Sequence, residues 1–263
     1  MTALSLDSPL VPPRGIDTPL QIPPPDAVHP LRFRRVLALL REVHSAEHDD
    51  DKVEAALTLF DAVGGLGGEK TFQRFARTPE GRRLLRTRPD LVGILADRDL
   101  LRALPDGSFG RAYLAFAERN GFSADSLLEL TNSVDRERPT NDTHREWFWN
   151  RFTVAHDLWH VLTGCSTEGE GEIRLLAFTY GQTPQRGYVL LLGLGFFSRF
   201  FKPSFFAVQW RAWRAGRRAA DLVSAPWEQY LAWPLDEVRR CFGIDLDRFD
   251  AASRVQTAEG HGA

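Results

Sequence analysis

"NDTHREWFWNRFTVAHDLWHVLTG" occupies residues 141–164 and can be read as one long helix. Asp142 or Thr143 can cap its start, and Gly164 is suited to its end. Leu158, Trp159, Val161 and Leu162 surround the two histidines His156 and His160, so the segment is expected to be largely buried. "CSTEGEGE" (165–172) then reads as a short loop. "EIRLLAFTYGQT" (172–183) opens a second helix with Glu172 in its first turn.

Outward from this segment the pattern stays helical. "LRFRRVLALLREVHS" (31–45) sets Leu31, Val36, Leu39, Leu40 and Val43 close to one stripe. "DDDKVEAALTLFDAVGG" (49–65) opens on acids and closes on Gly64-Gly65. Pro79 and Pro89 break the next stretch into short helices, and a helix runs from about Ser108 to Asn120 before a glycine stop. Residues 204–244 give one or two amphipathic helices with the break at Pro226. Alternating strand patterns and hairpin dipeptides are scarce, and no internal repeat is present. The expected fold is all-α: a single multi-helix domain over residues 31–250, an extended proline-rich N-terminal arm over 1–30, and a flexible tail over 251–263.

Composition narrows the function classes. The formal net charge of −2 over 263 residues argues against a general polyanion binder, so no nucleic-acid partner is expected. Cys165 and Cys241 lie at unrelated positions, which favours a reducing compartment over a disulfide framework. No targeting segment is expected at the N-terminus, and the longest apolar run, "YVLLLGLGFF" (188–197), is about half of what a membrane-spanning helix needs. Arginine and alanine usage suggests a GC-rich bacterial genome, and with it a bacterial cytoplasm as the compartment.

The chemistry concentrates in "HDLWH" (156–160). On a helix His156 and His160 share a face one turn apart, and Asp157, three residues before His160, can point to the same side. Two imidazoles and a carboxylate suit zinc, iron or manganese. A helix–loop–helix turn brings the start of the second helix beside the end of the first, offering Glu172, Glu168 or Glu170 as a further ligand or acid/base group. Against this, a histidine pair at this spacing also arises by chance, and a tight hydrogen-bond network would satisfy buried histidine and aspartate equally well. His144 is twelve residues upstream and gives no independent support for a phosphohydrolase of the HD type. Asp157 stands where zinc proteases carry glutamate, and Cys165 lacks a positioned base outside the motif, so protease and thiol readings are weak.

"HDLWH", eleven residues, then Glu172 resembles the H-D-x-x-H-(x11)-E signature of the coenzyme Q biosynthesis protein four family. "LPDGSFGRAYLAFAERNGF" (104–122) is similar to the family's upstream segment, and the likeness covers about residues 50–200. The arm and the Arg/Trp-rich C-terminal part match less distinctly. The resemblance implies a helical protein acting late in ubiquinone biosynthesis, with oxidative C1 decarboxylation of a polyprenylated hydroxybenzoate coupled to hydroxylation. It implies a divalent metal, Zn2+ first with Fe2+ or Co2+ as alternatives, on His156, Asp157, His160 and Glu172, which would also be the catalytic residues. The implied partners are the polyprenylated aromatic quinone precursor, other ubiquinone biosynthesis enzymes, a peripheral contact with the inner membrane, and a second copy of the chain as a homodimer. The alternative implied is a non-catalytic prenyl-lipid-binding scaffold with a structural metal. The isoprenoid tail would follow the aromatic-rich stretch 187–210, with Arg199 and Lys202 meeting lipid phosphates and Arg211, Arg214, Arg217 and Arg218 beside Trp210 and Trp213 extending that surface. Core packing and a solvated arginine face explain the same residues without any lipid.

Overall fold

The computed structural model describes residues 67–121, 123–124, 143–167, 169–185, 187–189, 192 and 203–247. The arm, the tail, the helices expected at 31–45 and 49–65, and Arg199 and Lys202 of the aromatic stretch lie outside the described residues. Residues 67–77 are helical. They are followed by α1 (Pro79–Thr87), α2 (Leu91–Ala96), α3 (Arg98–Arg102), α4 (Phe109–Asn120), α5 (Thr143–Thr163), α6 (Gly169–Gln182), α7 (Pro203–Arg218), α8 (Trp227–Tyr230) and α9 (Leu235–Phe242). No strand occurs among the described residues, and an isolated bridge joins Ser108 to Pro234. The all-α reading is correct.

Local chemistry sets the boundaries. Thr78 caps α1 by accepting from the Gly81 amide, with Pro79 at the first helical position. Asp90, Asp97 and Ser108 cap α2, α3 and α4 in the same way. Gly121 ends α4 in the left-handed conformation at φ 71°. The segment expected as one long helix is α5, a single helix of 21 residues.

α5 is the centre of the fold. Phe148, Arg151, Val154, Ala155, Leu158, Trp159, Val161 and Leu162 are all buried, which leaves almost no solvated stripe. Phe72 and Phe75 pack on Phe148 at 5.4 and 4.8 Å between ring centroids, and Trp159 meets Phe178 of α6 at 6.4 Å. Two arginines inside this helix are matched by carboxylates. Glu69 accepts from the Arg145 guanidinium at 2.8 and 2.7 Å, and Glu228 takes Arg151, which also donates to the Ala225 carbonyl at 2.9 Å. Trp227 of α8 joins α4 to α9, with its ring 5.9 Å from Phe109 and 5.1 Å from Phe242.

α6 folds back along α5 and packs most extensively on α7. The close approach needs glycine on both helices. A Cβ on Gly216 would lie 2.1 Å from the Phe178 carbonyl oxygen, and one on Gly181 would lie 2.6 Å from the Trp213 carbonyl oxygen. The C-terminal stretch differs from its expectation. The first helix ends at Arg218, eight residues before Pro226, and two further helices follow. The Gln182 side-chain amide is the reason: it donates to the carbonyls of Gly216 at 2.5 Å and Ala220 at 3.2 Å and accepts from the Leu222 amide at 3.1 Å. These bonds satisfy the last turn of α7 and draw the chain off the helix axis. Pro226 instead precedes the first residue of α8.

Gly216→Ala is expected to destabilise the protein by about 1–3 kcal/mol through overpacking against backbone that cannot yield. Urea unfolding followed by circular dichroism measures this, and an exposed control such as Ala207→Ser should stay close to the parent.

Candidate metal centre

The site forms where α5 ends and α6 begins. Gly164 stops α5 at φ 68°, and the turn carries the chain back over the last helical turn. Gly171 rests directly on that turn: a Cβ there would lie 2.6 and 2.7 Å from the backbone oxygen and nitrogen of Ser166. The first turn of α6 therefore docks against the loop and carries Glu172 across to the α5 histidines. Its Oε2 is 3.1 Å from Nε2 of His160, and its Oε1 is 3.6 Å from Nε2 of His156. One donor atom each from His156, Asp157 and His160 lie within 4.8 Å of one another.

The structure thus brings together all four residues singled out in the motif. Glu170 is exposed, and Glu168 is outside the described residues. His144 lies far up α5, near its start, where its Nδ1 is 3.1 Å from the Arg88 guanidinium. Cys165 contributes through its backbone: its carbonyl lies 3.1 Å from Nδ1 of His160. A carbonyl only accepts, so Nδ1 carries the hydrogen and Nε2 presents its lone pair to Glu172. Two acceptors 3.1 Å apart need a positive charge between them, which a proton or a metal ion can supply.

Charge and burial agree with that need. Burial works against the charged form of His156, but the Glu172 carboxylate and Asp157 outweigh it and hold the imidazole above its ordinary value. Burial would raise the Glu172 carboxyl; the charge on His156 and the contact with His160 reverse this and hold it low. Oδ2 of Asp157 is buried with no hydrogen-bond partner, an arrangement that costs free energy unless a cation completes it. Donors around a tetrahedral ion bound at 2.0–2.1 Å stand about 3.3–3.4 Å apart. The two Glu172 distances bracket that value, the His156, Asp157 and His160 donors stand up to 4.8 Å apart, and two imidazoles and two carboxylates suit a borderline divalent metal by donor type. His160 is 2% exposed and Glu172 34%, so the pocket is closed on the α5 side and open along the edge formed by His156 and Glu172.

One supporting residue escaped the sequence reading. Arg239 of α9 donates to the carbonyls of Val161 and Leu162, both at 3.0 Å, and so terminates the helix that carries the ligands. Its distance along the chain left no local signal.

In the metal-free protein the His156–Glu172 pair should stabilise the fold within a pH window. The raised histidine contributes fully below its ordinary 6.5 and loses its contribution as pH rises through the folded value. The lowered carboxylate contributes above its ordinary 4.5 and loses it as pH falls through the folded value. Melting curves in chelator should show the parent's advantage over Glu172→Gln largest between those two values. Gly171→Ala should weaken metal uptake, measured by calorimetric titration with Zn2+, because it pushes Glu172 off the loop.

The model of the family described as Coenzyme Q (ubiquinone) biosynthesis protein Coq4 matches residues 35–247. That span takes in the C-terminal part whose motifs are less distinct. A ubiquinone biosynthesis protein coq4, mitochondrial, from Aspergillus flavus is 33% identical over 64% of this chain and 57% of its own length. A counterpart from Yarrowia lipolytica is 31% identical over 67% of this chain and 66% of its own. The chain therefore spans less than two thirds of the length of these relatives. A crystal structure from Nostoc punctiforme PCC 73102 has a TM-score of 0.59 at 23% identity, covering 80% of this chain and 96% of that one, and it speaks to the fold. The expected compartment, a bacterial cytoplasm at the inner membrane, is overturned by the relatives, which are described as mitochondrial. Arginine and alanine usage reflects base composition and carries no physical information about compartment. The chain belongs to the Coq4 family of coenzyme Q (ubiquinone) biosynthesis proteins.

Proposed function

We propose that the chain is a metal-dependent enzyme that removes the C1 carboxylate of a polyprenylated hydroxybenzoate, with hydroxylation at the same carbon. The observation that carries this reading is a buried, unpartnered Asp157 oxygen beside two histidines and Glu172, open to solvent along one edge. His156, Asp157, His160 and Glu172 would hold the ion, with Zn2+ first and Fe2+ or Co2+ as alternatives. When bound, such an ion supplies Lewis-acid stabilisation to a carboxylate or phenolate oxygen. The protein's own part is to orient the ring at the open edge and to exclude water from the closed side. Glu172, the most exposed of the four, lies nearest the entering substrate and can move a proton there. Decarboxylation alone exchanges the carboxylate for a proton at C1, whereas replacing it by hydroxyl is a two-electron oxidation that, with dioxygen and water as co-substrates, releases carbon dioxide and hydrogen peroxide.

The apolar tail of such a substrate needs an apolar face. Val189, Phe206 and Trp210 are large apolar side chains left more than half exposed among the described residues, which supports contact with a prenyl chain or a lipid surface. No described helix is long and apolar enough to cross a membrane. A second reading keeps the metal structural and makes the chain a prenyl-lipid-binding scaffold for other biosynthetic enzymes. The observation favouring it is that the donors come from two helices, so an ion would pin α5 to α6.

Purified protein incubated with a prenylated hydroxybenzoate, with and without oxygen, separates the readings by mass spectrometry of the ring product. His160→Ala and Glu172→Ala should abolish both bound metal and product while the helical spectrum is retained. Turnover by a metal-free variant would overturn the metal dependence, and a protein that binds metal but never turns over would support the scaffold.

A further inference from the structure

The last turn of α4 touches the candidate site at two points. The Phe116 ring lies against the His160 imidazole, 5.4 Å between centroids with 25° between the planes. Four residues on, Asn120 accepts at Oδ1 from the Thr167 hydroxyl at 3.0 Å, within the loop that joins the two ligand-bearing helices. The Asn120 amide nitrogen donates back to the Phe116 carbonyl at 2.8 Å, which fixes the Asn120 side chain and its oxygen's direction.

We propose that Phe116 and Asn120 are positioning residues for the metal centre, and this rests on the metal reading above. An imidazole on a helix can still rotate about its ring torsion, and that torsion decides where Nε2 points. Two contacts restrict it here. The Cys165 carbonyl fixes one ring edge, and the flat face of Phe116 fixes the ring plane. Together they aim Nε2 at Oε2 of Glu172. Asn120 acts on the other side of the site. By tying Thr167 to α4 it holds the loop on which Gly171 rests, and thereby the position of Glu172. One helix from outside the ligand set thus registers both halves of the site. Outer partners of this kind change metal affinity by about 10–100-fold when removed.

Phe116→Leu keeps an apolar side chain of similar bulk and loses the flat face. Asn120→Ala removes an exposed side chain whose loss leaves the core intact. Each is titrated with Zn2+ by calorimetry and with Co2+ by its visible absorption, after thermal melts of the metal-free proteins. Both variants are expected to bind about tenfold more weakly, with an altered Co2+ spectrum for Phe116→Leu, and Phe116→Tyr is expected to restore affinity and spectrum. Unchanged affinity and spectrum in both variants, with the parent binding normally, would overturn the positioning role. Weakening that merely tracks a lowered melting temperature and is not restored by Phe116→Tyr would overturn it as well. A parent that takes up neither metal would instead overturn the metal reading itself.

Discussion

Enclosure of α5 is the constraint on which the other features depend. A helix buried on nearly every side has no water to satisfy its polar side chains, so each one must find a partner within the protein. Arg145 finds Glu69, Arg151 finds Glu228 and the Ala225 carbonyl, and His160 finds the Cys165 carbonyl and Glu172. Three buried atoms on the helix keep no hydrogen bond: Nε of Arg151, Nε1 of Trp159 and Oδ2 of Asp157, and of these the Asp157 oxygen alone is an anionic acceptor. That carboxylate oxygen stands beside two imidazoles, the donor set on which the proposed cation site rests.

The same enclosure explains which parts were legible in the sequence. α5 could be read because its limits are chemical: acids and threonine at the start, glycine at the end, and large apolar residues recurring on every side between. α4 could be read from Ser108 and Gly121 for the same reason. The end of α7 could not, because it is set by the amide of Gln182, a residue 34 positions away from the Gly216 carbonyl it binds. Helix breaks made by proline are local signals, and breaks made by a distant side chain are not.

The site shows the same division. His156, Asp157 and His160 follow from helical spacing, since one turn separates the histidines. Choosing Glu172 over its neighbours needed the family pattern, and the geometry gives the physical basis: Gly171 lets α6 sit on the loop, and Glu172 is the next residue. Glu170, two residues earlier, faces solvent. The supports of the site come from α4 and α9, and neither bears any sequence relation to the motif that would reveal it.

Arg239 bears on the order of assembly. It closes the end of the ligand-bearing helix from 77 residues further along the chain, so α5 lacks its terminal bonds until α9 has folded onto it. Contacts of such long sequence separation form late, because the loop they close must be ordered first. On a ribosome the motif emerges well before the residue that secures it. The candidate site is therefore among the last parts of the molecule to mature, and a chain cut short before α9 would carry all four motif residues without the Arg239 bonds that close α5.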